Sequence, residues 1–169
     1  EQGLLYALEA PTGKIRWKTQ LKGNIRAGVT VQGDRLIVGT TAGKIYGLNL
    51  KGKIRWEQDL LQLYPEYVSE QYVTQMEIYA TPPLYKNSLI LGFARDPLSP
   101  PPAMIRLDLS TGKLIWKAES DGERNDWGNI RTSPVLYKNL LIYAEPYSNE
   151  VIAINADTGK ALGSTAVGI

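Results

Sequence analysis

The side chains best suited to recognition or chemistry gather in a few irregular stretches. Tyr64, Tyr67, Tyr72, Trp127 and Tyr147 stand there beside Glu66, Glu70, Arg95, Asp96, Arg124 and Asp126. Tyr, Trp and Arg supply most of the binding energy at protein interfaces, so this set points to a face that binds a protein or peptide. Catalysis has less to draw on. His and Cys are both absent, which removes the commonest general base, the commonest transition-metal ligand and any thiolate nucleophile. No residue stands out as a catalytic group. The run Asp121-Gly122-Glu123-Arg124-Asn125-Asp126 alternates oxygen ligands, but its glycine is misplaced for an EF-hand loop. Asx turns account for it better, and no metal site is expected. Ser99-Pro100-Pro101-Pro102 reads as a stiff polyproline loop wall.

What must position these loops is a phrase written four times. LYALEAPTGKIRW (5–17), IYGLNLKGKIRW (45–56), MIRLDLSTGKLIW (104–116) and VIAINADTGKALG (151–163) share an alternating apolar stretch, a Gly-Lys turn and, in three copies, a closing Trp. Leu5 and Ala7, Ile15 and Trp17, Tyr46 with Leu48, and Ile105 with Leu107 are two apart, which is the strand period. Gly13, Gly52, Gly112 and Gly159 fall where a tight hairpin needs a positive φ. Between the phrases lie further strand-like runs at 25–31 with 35–39, 78–84 with 88–92, and 130–136 with 140–143. Each pair is split by a short polar turn. The unit is thus four antiparallel strands recurring at about 40 residues, which describes the blade of a β-propeller. A sandwich could use such hairpins but would not require one hairpin sequence to recur.

The segment Ala7–Trp17 (A-L-E-A-P-T-G-K-I-R-W) resembles the tryptophan-docking repeat of the quinoprotein-like β-propeller family (the PQQ-type repeat), written loosely A-x-D-x-x-T-G-x-x-x-W. Residues 106–116 and 153–163 match with small departures, and the copy at 47–56 is one residue short in its turn. The resemblance spans nearly the whole chain. It implies that Trp17, Trp56 and Trp116 dock on the neighbouring blade, each burial contributing at most about 4–6 kcal/mol. One branch of the family is similar to the pyrroloquinoline-quinone dehydrogenases, which use PQQ with calcium. The other comprises cofactor-free scaffolds such as the outer-membrane assembly lipoprotein. With no vicinal Cys pair and no assignable carboxylate base, the cofactor-free branch is the expectation here and a dehydrogenase fragment the alternative. A carbohydrate-binding or sensor module using Trp127 and the Tyr cluster is a third reading.

Counted by strand, the chain holds half a blade (1–23) and three blades (about 24–60, 77–120 and 129–169), with a long loop at 60–77. Propellers close with four to eight blades, so this all-β segment is not expected to close alone. Further blades of a longer propeller, or association of copies, would complete it, and exposed strand edges invite such pairing. Gly163 stands where the fourth Trp belongs. In a meander every long insertion (60–77, 93–103, 119–129 and 144–150) falls at the same end of the blades, while the turns at the other end are short. Loops on a rigid scaffold are where binding usually sits. The 169 residues carry 19 basic and 17 acidic side chains for a net charge of +2. That balance gives no electrostatic footprint for nucleic acid, and no apolar run reaches the length of a spanning helix. The numbered chain opens on the strand-like LLYALEA (4–10) with no leader-like segment. The resemblance implies a periplasmic or extracellular setting. Zero Cys fits that and a cytosolic one equally.

Overall fold

The computed structural model describes residues 3–65, 76–94, 104–118, 130–145 and 149–167. A two-stranded sheet of β1 (Leu4–Leu8) and β2 (Ile15–Gln20) is followed by three four-stranded antiparallel meanders. The second sheet is β3 (Thr30–Gln32), β4 (Arg35–Gly39), β5 (Lys44–Asn49) and β6 (Ile54–Asp59). The third is β7 (Leu84–Tyr85), β8 (Ser88–Gly92), β9 (Met104–Asp108) and β10 (Leu114–Lys117). The fourth is β11 (Val135–Tyr137), β12 (Leu140–Glu145), β13 (Glu150–Asn155) and β14 (Ala161–Ala166). Strands pair only within their own sheet, as propeller blades do. The chain forms a half blade and three full blades.

The T-G-K hairpins are built by their own side chains. Asp108 Oδ1 accepts from the backbone N–H of Ser110 and Thr111 and from the Thr111 hydroxyl at 2.8–2.9 Å. Asn49 and Asn155 cap the equivalent turns, accepting from Lys51 and Lys53 and from Asp157 and Thr158. Burial works against the Asp108 carboxylate, but the Thr111 and Ser110 bonds outweigh it and hold its pKa below the usual carboxylate value. The register shifts beside each turn, between Ala7 and Leu8, Gly47 and Leu48, Leu114 and Trp116, and Ala153 and Ile154. Such bulges bend and twist the strand.

Blade faces, not blade edges, make the core. Every residue of β8 is buried, as are Met104 to Leu107 of β9, because sheets lie against both faces of the third blade. The larger cluster runs through the second, third and fourth sheets, from Ile37 and Ile45 through Leu89–Leu91 to Ile152 and Ile154. A smaller one (Leu5, Leu21, Leu36, Val38, Tyr46 and Leu48) joins the half blade to the second sheet. Ile78 lies on Gly39 and Ile130 on Gly92 so closely that a Cβ at either glycine would overlap the isoleucine.

Three expectations are corrected. The first strand of each blade is much shorter than 25–31, 78–84 and 130–136, spanning only Thr30–Gln32, Leu84–Tyr85 and Val135–Tyr137. Pro82, Pro83 and Pro134 offer no N–H to a ladder, and Gly28 N–H donates to Thr81 Oγ1 of the next blade instead (2.9 Å). The stretch 60–77 is not all loop: Leu60–Leu63 form one helical turn, α1, capped by Asp59, which accepts from Leu61 N–H at 3.0 Å. Phe93 and Ala94, expected to open a surface loop, are buried.

Candidate functional site

The tryptophans form a repeated joint between blades. Trp17 Nε1–H donates to Leu50 O (2.8 Å), Trp56 to Leu109 O (3.2 Å) and Trp116 to Ala156 O (3.2 Å). Each indole also covers the turn glycine of the next blade: Trp17 lies on Gly52, Trp56 on Gly112 and Trp116 on Gly159. The cavity beside Trp56, lined by Arg35, Gly47 and Arg55 among others, is about 10 Å³, room for one water at most. The joints hold the frame, and the one at Trp56 has no space for a ligand larger than water.

Of the side chains assigned to the binding face, Tyr64 alone lies among the described residues. Its ring is buried, 5.6 Å from Phe93 and tilted at 59°, with Lys117 Nζ 4.1 Å from its centroid. Tyr64 is therefore a core residue at the foot of its loop rather than an exposed contact; Leu60 and Met76, in the same cluster, draw it inward. Glu66, Tyr67, Tyr72, Arg95, Asp96, Arg124, Asp126, Trp127 and Tyr147 lie outside the described residues.

A group absent from the sequence reading comes together where the chain crosses into each innermost strand. The Arg26 guanidinium carbon lies 5.8 Å from the Tyr79 ring centroid and that of Arg131 5.1 Å. Tyr79 O–H donates to Glu77 Oε2 at 2.6 Å. Glu77 is itself held by a two-way backbone bridge to Ala94, at 2.7 and 2.8 Å. These residues follow equivalent blade-to-blade crossings, so they lie at the same end as the long loops. Arg26, Tyr79 and Arg131 each follow one of the anchoring isoleucines Ile25, Ile78 and Ile130. That recurrence is the signal that would have found them. Cross-blade bonds fix their spacing: Thr81 N–H donates to Ser133 Oγ (3.0 Å), Thr30 Oγ1–H to Pro82 O (2.8 Å) and Ile130 N–H to Phe93 O (3.2 Å). The two arginines are exposed, and Tyr79 and Glu77 are half-buried.

The Glu77 carboxylate, through the hydrogen bond and then its charge, together with burial, raises the Tyr79 pKa; the two arginines oppose this. Tyr79 therefore stays a neutral hydrogen-bond donor at physiological pH. The bond is intact below the ordinary tyrosine range and is lost as pH rises through the raised value. Glu77→Ala should return the Tyr79 titration toward about 10. This is checked by tyrosinate absorbance against a Tyr79→Phe reference, and an unmoved midpoint would refute the Glu77 assignment.

Among the described residues no cluster of three or more carboxylate, His or Cys side chains converges as metal ligands. The one carboxylate identified at the crossing group, Glu77, is engaged by a phenol. No helix among them is long and apolar enough to cross a membrane.

Comparison with known proteins places this architecture. Residues 1–168 match the family described as outer membrane protein assembly factor BamB. Among curated proteins, BamB of Moranella endobia (strain PCIT) is 28% identical over 163 residues, covering 93% of this chain and 37% of that protein. A polyvinylalcohol dehydrogenase of a Pseudomonas species is 26% identical over 152 residues, covering 89% of this chain and 22% of that protein. The chain therefore spans well under half the length of either relative. Among solved structures, BamB from Moraxella catarrhalis superimposes with a TM-score of 0.68 at 18% identity, over 99% of this chain and 44% of that one. The quinohemoprotein alcohol dehydrogenase from Comamonas testosteroni gives 0.75 at 15% identity, over 96% and 32%. With the repeated hairpins, the blade-wise sheets and the match over nearly its full length, the chain belongs to the BamB family of PQQ-like repeat β-propellers.

Proposed function

We propose that this propeller segment is a non-catalytic scaffold that binds a protein or peptide at the end of the blades carrying the long loops. One observation carries the reading: consecutive blades bring Arg26 and Arg131, both exposed, to the half-buried Tyr79 at that end. The titratable groups there are suited to holding a partner and poorly suited to moving a proton. The phenol is neutral and the carboxylate is occupied. The Tyr, Trp and Arg residues that the sequence carries in its long insertions are of the types enriched at interface hot spots. A periplasmic setting accords with the outer-membrane assembly factors among its relatives.

The polyvinylalcohol dehydrogenase similarity supports a second reading, a fragment of a PQQ enzyme. The two separate on titration with PQQ and calcium. A scaffold shows no change in quinone absorbance and no dye-linked alcohol oxidation, whereas either signal would overturn the scaffold reading. Under the same reading, partner capture should fall on Tyr67→Ala with Trp127→Ala and persist on Lys14→Ala with Lys113→Ala, at the opposite end.

A further inference from the structure

We infer that Tyr137 and Lys138 form a carboxylate clamp for the hairpin turn of an abutting blade, a turn that carries Asp two residues before its glycine. The inference is independent of the scaffold reading. It starts from the tripeptide Tyr-Lys-Asn, which the chain writes at 85–87 and again at 137–139. The first copy is filled. Asp157, from the following blade's turn, accepts from the Tyr85 hydroxyl at 2.9 Å and from Lys86 Nζ at 2.5 Å. The second copy is built alike. Tyr85 pairs with Ser88 and Tyr137 with Leu140 across the same short turn, and Lys86 and Lys138 take φ of 54° and 55°. Each ammonium stands over the preceding ring, 4.9 Å from the Tyr85 centroid and 5.3 Å from that of Tyr137. Cover is what differs: Tyr85 is 8% exposed and Tyr137 63%. Among the described residues no ion pair engages Lys138.

The second blade shows what the lysine is for. Its turn has Gly33 at the same place, with φ of 57°, the residue such a turn ordinarily takes. A lysine held in that left-handed backbone is strained, and at Lys86 the strain aims an ammonium at the next blade. The facing turns differ to match. Opposite Lys86 stands Asp157, two residues before Gly159, whereas the turn that follows Gln32-Gly33 has Ser110 two residues before Gly112. No other turn of this chain fills the second clamp. Pro11 and Leu50 occupy that place before Gly13 and Gly52, and Asp157 is engaged by Lys86. A second copy of these residues therefore brings no matching carboxylate, and the occupant is the Asp-bearing turn of another blade. The clamp also continues an observed joint. Gly28 N–H donates to Thr81 Oγ1 and Thr81 N–H to Ser133 Oγ, so the Ser133 N–H is the next donor in the series. Asn139 O holds Ala156 N–H as Asn87 O holds Leu109 N–H, so the backbone beside both clamps is fixed alike.

The test is an NMR titration of the isotope-labelled protein with disulfide-closed hairpin peptides of the sequence at 151–163, carrying Asp, Asn or Ser at the place of Asp157. The Asp hairpin is expected to shift the Tyr137 ring and Lys138 signals. It should bind about threefold or more tighter than the Asn and Ser hairpins, the scale of an exposed charge pair with its hydrogen bond. Binding should weaken between low salt and 0.15 M salt. The Tyr85 and Lys86 signals should stay in place, because their carboxylate is supplied from within the chain. Lys138→Gln and Tyr137→Phe should each reduce the preference for Asp, and together they should abolish it. Both side chains are exposed, and near-ultraviolet circular dichroism checks that the variants fold. An Asp hairpin that leaves Tyr137 and Lys138 unshifted overturns the clamp. So does one that binds no better than the Asn hairpin, or that keeps its advantage in the double variant.

Discussion

Gly112→Ala should destabilise the protein by about 2–5 kcal/mol, whereas Gly13→Ala, the same change in the same turn of another hairpin, should cost only about 1–2 kcal/mol. The two glycines share a backbone conformation, with φ of +70° and +68°. Placing a Cβ in that left-handed region costs about 1–2 kcal/mol at either position. Their surroundings differ. A Cβ on Gly112 would sit 2.5 Å from Trp56 Cε3, while one on Gly13 would have nothing within 4 Å. Overpacking a filled site adds about 1–3 kcal/mol, and the indole has little freedom to retreat, because Trp56 Nε1–H is bonded to Leu109 O and its ring lies over Gly47. Urea midpoints at unchanged m-value would measure the difference. Combining Gly112→Ala with Trp56→Ala should cost less than the sum of the separate changes, since the clash disappears with the indole. Equal penalties at positions 13 and 112 would mean that the indole is not seated on the turn.

That joint shows why the fold was legible in the sequence. A phrase ending in Trp and turning on Gly repeats because each copy's Trp meets the next copy's Gly; a contact between repeats must be written in every repeat. The hairpins are readable from their turn glycines for a related reason: the turns are closed locally, by Asp108, Asn49 and Asn155 side chains that cap them within a few residues of themselves. The innermost strands were misjudged because their length is set by a partner distant in sequence. Alternation alone would extend them over 25–31, but the backbone there bonds to the next blade. Tyr64 was misread for a similar reason. An aromatic in a polar, irregular stretch looks like a surface contact until Phe93, from another connection, is seen to cover it. The Arg26–Tyr79–Arg131 group escaped notice because its members are distant in sequence and differ in residue type. Only the shared position after Ile25, Ile78 and Ile130 relates them.

Departures from the repeat mark where one blade joint is built differently, and Arg106 is the clearest. Opposite the Trp position, the other hairpins carry Ala7, Gly47 and Ala153, whereas Arg106 faces Trp116. Arg106 is only 8% exposed, so its charge must be met within the protein. Its Nε–H donates to Ser88 Oγ at 2.6 Å and its Nη1–H to Ala156 O at 3.1 Å, with the guanidinium carbon 4.9 Å from the Tyr85 ring centroid. Arg106→Ala should therefore cost about 2–3 kcal/mol, the scale of losing charge-assisted bonds. The cost is limited because the partners left behind are not orphaned: Ser88 O–H donates to Tyr85 O and Trp116 Nε1–H still reaches Ala156 O.

An ion pair with Asp157 is the competing explanation, since Asp157 Oδ1 lies 3.8 Å from Arg106 Nη1. Asp157 is exposed, however, and is closer to Lys86 Nζ, at 2.5 Å, and to the Tyr85 hydroxyl, at 2.9 Å. Lys86 first and then Tyr85, with Arg106 a smaller influence, hold the Asp157 pKa below the ordinary value. Stability owed to that carboxylate is present above the unfolded-state pKa of about 4 and is lost as pH falls through the lower folded value. The bonds to Ser88 and Ala156 do not titrate. The penalty of Arg106→Ala should thus be nearly the same at pH 7 and pH 3, and Asp157→Asn should not reproduce it. A penalty that vanished in acid, or an equal one from Asp157→Asn, would assign the joint to the ion pair instead of to the buried bonds to Ser88 and the next blade's turn.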